Sequence, residues 1–90
     1  MSTNWRIDYS RDAEKFIKRQ DIHSEVKEEL KKFFMKMKGM DINIDLKKLE
    51  GEWEGYYRIR KGKIRIIFSI NKTDKVLFVE NIDFRGDVYK

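Results

Sequence analysis

Trp5, Ile7 and Tyr9 alternate with Arg6 and Asp8, the period-2 pattern of a strand with one buried face. Ser10 is placed to cap a short helix, with Asp12 near its positive end and Ala13, Phe16 and Ile17 facing inward; that helix is expected to end near Asp21. Ile22, Val26, Leu30, Phe33, Phe34 and Met37 then recur at helical spacing, which predicts a second, better-defined helix. Glu28 and Lys32 stand four residues apart as an ion pair on its wet side. Gly39 suits the left-handed position just past the last turn. Two helices joined near Asp21 predict a hairpin that covers one face of a sheet.

Residues 40–55 carry no clear period and are expected to form an irregular connection. Beyond them, 56–60 and 64–70 flank a turn around Lys61 and Gly62, and glycine at the tip supplies the positive φ that a tight hairpin needs. Asn71, Lys72, Thr73 and Asp74 are turn formers. Val76, Leu77, Phe78, Val79 and Ile82 then make a mostly apolar run, as expected of a central strand. The predicted order is β-α-α-β-β-β, an α+β fold in which the helical hairpin packs on one face of a mostly antiparallel sheet. Residues 1–90 form one domain, because a chain this short buries only roughly 60 to 65 per cent of its unfolded surface and has no room for a second core. No internal repeat, low-complexity segment or flexible linker interrupts it.

Charge changes the picture. The chain has 21 Lys and Arg against 16 Asp and Glu, a formal charge of +5, which favours anionic partners by long-range attraction. Nucleic acid or an acidic protein is the expected partner. The absence of cysteine excludes a disulfide framework, a thiolate metal site and a cysteine nucleophile, and is compatible with a reducing cytoplasm. The first eight residues lack an apolar signal core and no apolar run approaches the roughly 20 residues of a membrane span, so a cytoplasmic protein without membrane contact is expected.

The cations are concentrated. Arg58, Arg60, Lys61, Lys63 and Arg65 fall within eight residues with no acid among them. Strand periodicity puts Tyr56, Arg58 and Arg60 on one side and Tyr57 and Ile59 on the core side; Arg65 is out of phase with Ile64, Ile66, Phe68 and Ile70 and also points outward. Antiparallel pairing then brings Arg58, Arg60 and Arg65 together away from the helices. Three guanidiniums there form either a fork-shaped phosphate site or a solvated hairpin protected from aggregation by its charges, and composition alone is compatible with both. Trp53, Tyr56, Phe84 and Tyr89 lie near the cations in sequence, and aromatic rings of this kind stack on single-stranded RNA bases when they are not simply packing. Lys61 and Lys63, with Trp53 and Tyr56, are the candidate RNA-binding residues. Glu50, Glu52 and Glu54 are either carboxylate bases or ordinary solvated loop acids. His23, at a helix start far from the cluster, is expected to be a surface residue. No metal-binding constellation or glycine-rich phosphate loop appears, so no metal and no small-molecule cofactor is expected.

An ordered set of segments resembles the RelE/ParE toxin family: Leu46-Lys47-Lys48-Leu49-Glu50-Gly51, Gly55-Tyr56-Tyr57-Arg58-Ile59-Arg60, Gly62-Lys63-Ile64-Arg65-Ile66-Ile67-Phe68 and Arg85-Gly86-Asp87-Val88-Tyr89-Lys90. The N-terminal strand and helical hairpin fit the family more loosely, so the likeness covers nearly the whole chain. It implies the toxin of a type II toxin–antitoxin system and, for RelE-type members, a ribosome-dependent endoribonuclease. Such members cleave mRNA in the A site without metal, by attack of the neighbouring 2′-hydroxyl on the scissile phosphate. By position, Arg58, Arg60, Arg65, Arg85 and Tyr89 would be the catalytic residues. Arg65 and Arg85 would stabilise transition-state charge, Arg58 and Arg60 would position the RNA backbone, and Tyr89 would orient or deprotonate the 2′-hydroxyl.

The resemblance also implies a cognate antitoxin protein, with the ribosome and mRNA as further partners. The net charge suggests that the antitoxin packs an acidic or amphipathic segment on this domain. This sequence departs from the family in two respects: RelE-type members often have lysines where Arg58 and Arg60 stand, and some have a histidine at the position of Phe84. Two alternatives share the fold, a ParE-like inhibitor of DNA gyrase and a catalytically weakened nucleic-acid-binding member. An outward arginine adds little to a core, so Arg65→Ala is expected to remove activity without unfolding the domain.

Overall fold

In the computed structural model, which describes residues 5–84, the first apolar alternation forms β1 (Arg6–Tyr9). Ser10 follows in an extended conformation, and its hydroxyl accepts the Ala13 N–H at 3.1 Å, capping α1 (Arg11–Gln20). Acidic Asp12 and Glu14 lie in the first turn and basic Lys18 and Arg19 in the last, both favourable to the helix dipole. Asp21, at φ 55°, takes the left-handed turn that ends α1 and aims the chain back through Ile22 into α2 (His23–Met37). Gly39, at φ 97°, occupies the expected position past the last turn of α2.

Val26, Leu30 and Phe33 of α2 are buried, with Ala13 and Ile17 of α1, against one face of the sheet, while Met37 at the end of the apolar stripe is exposed. The expected pairing of Lys32 with Glu28 is replaced by one with Glu29, 3.3 Å away and one residue nearer along the helix. Glu29 is buried and also lies 4.0 Å from Lys61, so the carboxylate sits between cations of a helix and a strand rather than on the wet side.

Four strands follow the helices: β2 (Asp45–Lys48), β3 (Tyr56–Lys61), β4 (Ile64–Asn71) and β5 (Val76–Phe84). The sheet order is β1-β5-β4-β3-β2, with β1 parallel to β5 and every other pair antiparallel. The α+β architecture and the placement of the helices on one face are as the sequence predicts. Residues 40–55 are a correction, because they contain strand β2 and a 3-10 turn (Gly51–Trp53) instead of an irregular connection throughout. The signal is weak for a physical reason: β2 is a four-residue edge strand in which Leu46 alone is apolar and packs against the core.

The tip between β3 and β4 is a two-residue turn, Gly62 and Lys63, with Gly62 at φ 60°; positive φ at the first turn residue is the type II′ pattern that matches strand twist. At the other end of β4, the Asn71 side-chain oxygen accepts the Asp74 N–H at 3.0 Å, closing the turn into β5. β5 carries a bulge. Phe68 pairs with Val79 and Ile67 with Asn81, which leaves Glu80 as the extra residue. The bulge switches the inward phase from odd to even numbers, so Leu77 and Val79 on one side of it and Ile82 on the other all reach the core. It also places the Glu80 carbonyl where the Ser10 hydroxyl donates to it at 2.7 Å. Ser10 therefore caps α1 and ties the bulge at once, and Ser10→Ala is expected to cost about 1–2 kcal/mol. A urea midpoint unchanged by that substitution would show that neither bond contributes.

Candidate nucleic-acid interface

The helix-free face of the sheet carries the basic residues. Ile59 is completely buried on the helix side, so alternation sends Arg58 and Arg60 to the opposite side. Register then aligns neighbours: Arg60 stands opposite Arg65 across β3 and β4, Asp45 opposite Arg60 across β2 and β3, and Asp83 opposite Arg65 across β4 and β5. One row across four strands reads Asp45, Arg60, Arg65, Asp83. Two like charges directly opposite would be unfavourable alone, and the flanking carboxylates offset them.

The distances separate the two aspartates. Arg65 makes a bidentate pair with Asp83, Nε to Oδ1 and Nη2 to Oδ2, both at 3.0 Å. These side chains are only 19% and 23% exposed, which makes the pair short, oriented and largely shielded from water. Asp45 instead sits between two guanidiniums, 3.3 Å from Arg60 Nε and 3.6 Å from Arg58 Nη2, and is 52% exposed. The next row places Lys47 opposite Arg58 and Arg58 opposite Ile67. Arg58, Arg60 and Arg65 are therefore brought together as the sequence predicts, within a charge pattern supplied by strands β2 and β5.

Solved structures of several toxins share this architecture. A chain of the RelB–RelE antitoxin–toxin complex from Methanococcus jannaschii matches with TM-score 0.65 and 21% identity, covering 91% of this chain and 94% of that one. The YoeB/ParE toxin from Agrobacterium tumefaciens matches with TM-score 0.64 and 14% identity, over 89% of this chain and 98% of that one. The archaeal RelE–RelB complex from Pyrococcus horikoshii matches with TM-score 0.56 and 26% identity, over 94% and 99%. This is the RelE/ParE toxin fold. No protein-family profile matches the sequence, and no curated protein does.

Within the RelE/ParE fold the other predicted site residues divide. Tyr56 shares the outward phase of Arg58 and Arg60, and its ring meets that of Trp53 edge-on with centroids 5.1 Å apart; Trp53 is 40% exposed. This aromatic pair sits at the start of β3, next to the guanidiniums, where a base could stack. Lys61 lies in the opposite phase, beside Glu29 of α2. Lys63 places its Nζ 4.4 Å from the centre of the Phe84 ring, which itself packs edge-on against Phe16 of α1 at 5.0 Å. The two lysines thus neutralise and cover the helix side instead of joining the arginines. Phe84 is a packing residue here.

Arg85 and Tyr89 lie outside the described residues. Glu50, Glu52 and Glu54 are exposed around the 3-10 turn, and His23 is exposed at the start of α2. Tyr9 is packed against the core, and burial raises its phenol above the ordinary value, which disfavours proton transfer there. Among the described residues, no three His, Asp or Glu side chains gather as metal ligands, and no helix is long and apolar enough to cross a membrane.

Sequence reasoning missed Asp45, Asp83 and Lys47 on the open face. Asp83 would have been found from the switch of apolar phase between Val79 and Ile82, which marks a bulge and turns Asp83 outward. Asp45 carried no comparable signal, because its strand has too few apolar residues to declare itself.

Proposed function

We propose that this chain is the toxin of a type II toxin–antitoxin pair and acts as a ribosome-dependent mRNA endoribonuclease. The observation that carries the proposal is the cluster of three guanidiniums on the helix-free face, beside an aromatic pair whose Trp53 is exposed, in a RelE/ParE fold. Arg58 and Arg60 bind the backbone phosphates of the message, and Arg65 stabilises the added negative charge as the 2′-oxygen attacks phosphorus. In that reaction the 2′-hydroxyl loses its proton, the new O–P bond forms, and the 5′-oxygen of the next nucleotide leaves and takes up a proton. Arg85 assists Arg65, and Tyr89 acts on the 2′-hydroxyl; both roles rest on the family pattern. Trp53 and Tyr56 hold a base by stacking. The partner is an antitoxin protein, in keeping with neighbours whose crystal structures are antitoxin–toxin complexes.

The test is cleavage of a defined mRNA on ribosomes with an empty A site, beside the same RNA alone. Cuts that require the ribosome are the expected result. An absence of cuts by the folded protein would sink the nuclease reading, and inhibition of gyrase supercoiling by the same preparation would replace it with the ParE-like one. Phe84 favours a second reading, a phosphate-binding member with weakened cleavage, since a packed phenyl ring cannot transfer a proton. RNA binding without ribosomal cleavage would identify it.

A further inference from the structure

The two carboxylates on the open face differ in every respect that governs whether an incoming anion can replace them. Asp83 is bidentate, mostly buried and anchored on an interior strand, whereas Asp45 is half-exposed and makes two longer contacts from a four-residue strand paired on one side only. Exposed ion pairs contribute little, because water and salt compete for both partners. A shielded bidentate pair is held more firmly, since losing it strands a desolvated carboxylate.

Asp45 has a further peculiarity. Its two oxygens are divided between two guanidiniums, Oδ1 toward Arg58 and Oδ2 toward Arg60. That is how two non-bridging oxygens of a phosphodiester would be held by two arginines, so the carboxylate stands where a phosphate would bind.

We propose that Asp45 is an internal stand-in for RNA phosphate, occupying the position between Arg58 and Arg60 until a backbone phosphate displaces it, while Asp83 stays paired with Arg65 throughout. This rests on the reading that the open face binds RNA. In the free protein Asp45 keeps two closely placed guanidiniums neutralised in part and correctly spaced. When RNA arrives, the carboxylate swings into solvent, which its exposure and the short edge strand permit. The arrangement lowers affinity for stray polyanions and leaves binding to ligands that also supply the aromatic contacts of Trp53 and Tyr56.

The experiment compares binding of a short, fluorescein-labelled single-stranded RNA by the wild-type chain, Asp45→Asn, Asp83→Asn and Arg58→Ala, each checked for an intact unfolding transition. Asp45→Asn should bind about two- to tenfold more tightly, the gain expected from no longer displacing a weak ion pair. Asp83→Asn removes the same unit of negative charge from the same face and should bind no more tightly. Equal tightening by both variants would overturn the proposal, because total charge would then explain the effect. Wild-type binding that is lost in Arg58→Ala but unaffected or weakened in Asp45→Asn would overturn it while leaving the RNA-binding face intact. Failure of every protein to bind, Asp45→Asn included, would remove the RNA-binding reading and this inference with it.

Discussion

Arg65→Ala should lower ribosome-dependent cleavage by about 10²- to 10³-fold, the loss usually seen when one preorganised transition-state donor is removed. Arg65 is singled out because β4 is the middle strand of the sheet and Asp83 fixes the guanidinium at two points. Its orientation is set before RNA binds, so none of the stabilisation is spent on ordering a flexible side chain. The structure refines the expectation that this outward arginine can be removed without unfolding the domain. Removing it leaves Asp83 largely shielded from water without its bidentate partner, at a cost of about 1–2 kcal/mol. Stability and catalysis are separated by the double variant Arg65→Ala with Asp83→Asn, which removes the stranded charge. The double variant should recover most of the urea midpoint and none of the cleavage. Cleavage that returned along with stability would show that Arg65 supports the fold and takes no part in the reaction.

The parts of this fold legible in the sequence are those whose side chains are divided between a wet and a dry side. α2 declared itself through the spacing of Val26, Leu30 and Phe33, and the β3–β4 hairpin through the opposed phases of Ile59 and Arg58 around Gly62. Ser10 was legible as a cap because its side chain acts on its own neighbours in sequence. What escaped depends on partners distant in the chain. β2 is a strand because β3 offers it an edge, with only Leu46 to mark its inner side. Glu29, which the helical spacing does not mark, is buried beside Lys32 of its own helix and Lys61 of the sheet.

The candidate site followed the same rule. Its cations were readable from local phase, since Arg58, Arg60 and Arg65 lie on adjacent strands of one hairpin. The basic run contains no acid along the chain, but in space it is joined by Asp45, 15 residues from Arg60, and Asp83, 18 from Arg65. Lys61 and Lys63 were grouped with the arginines by proximity in sequence, and the turn sends both toward the helices.

Phe68→Ala should be the most damaging single substitution for stability, with an expected loss of about 3–5 kcal/mol. Phe68 is fully buried on the middle strand, meets Phe33 of α2 edge-on at 4.9 Å and stacks with Tyr57 of β3 at 5.7 Å. Those two rings also meet at a tilt, with centroids 6.1 Å apart, so the three form one aromatic cluster that joins the helical layer to β3 and β4. Alanine would leave a cavity walled by sheet on one side and helix on the other, neither of which can close in without breaking its own hydrogen bonds. A domain of this size has about 5–15 kcal/mol in total, so the variant should melt roughly 12 °C or more below the wild type. Met37, exposed at the end of the same helix, sets the scale: Met37→Ser should change stability by no more than about 0.5 kcal/mol. The consequence reaches the open face, because the β3–β4 register that Phe68 supports is what sets Arg60 opposite Arg65. Phe68→Leu, which retains much of the volume, should fall between the two in stability and keep the arginines in register. If Phe68→Ala cost less than about 1 kcal/mol, the helices would not be packed on the sheet through this cluster, and the division into a dry face and a basic face would have to be redrawn.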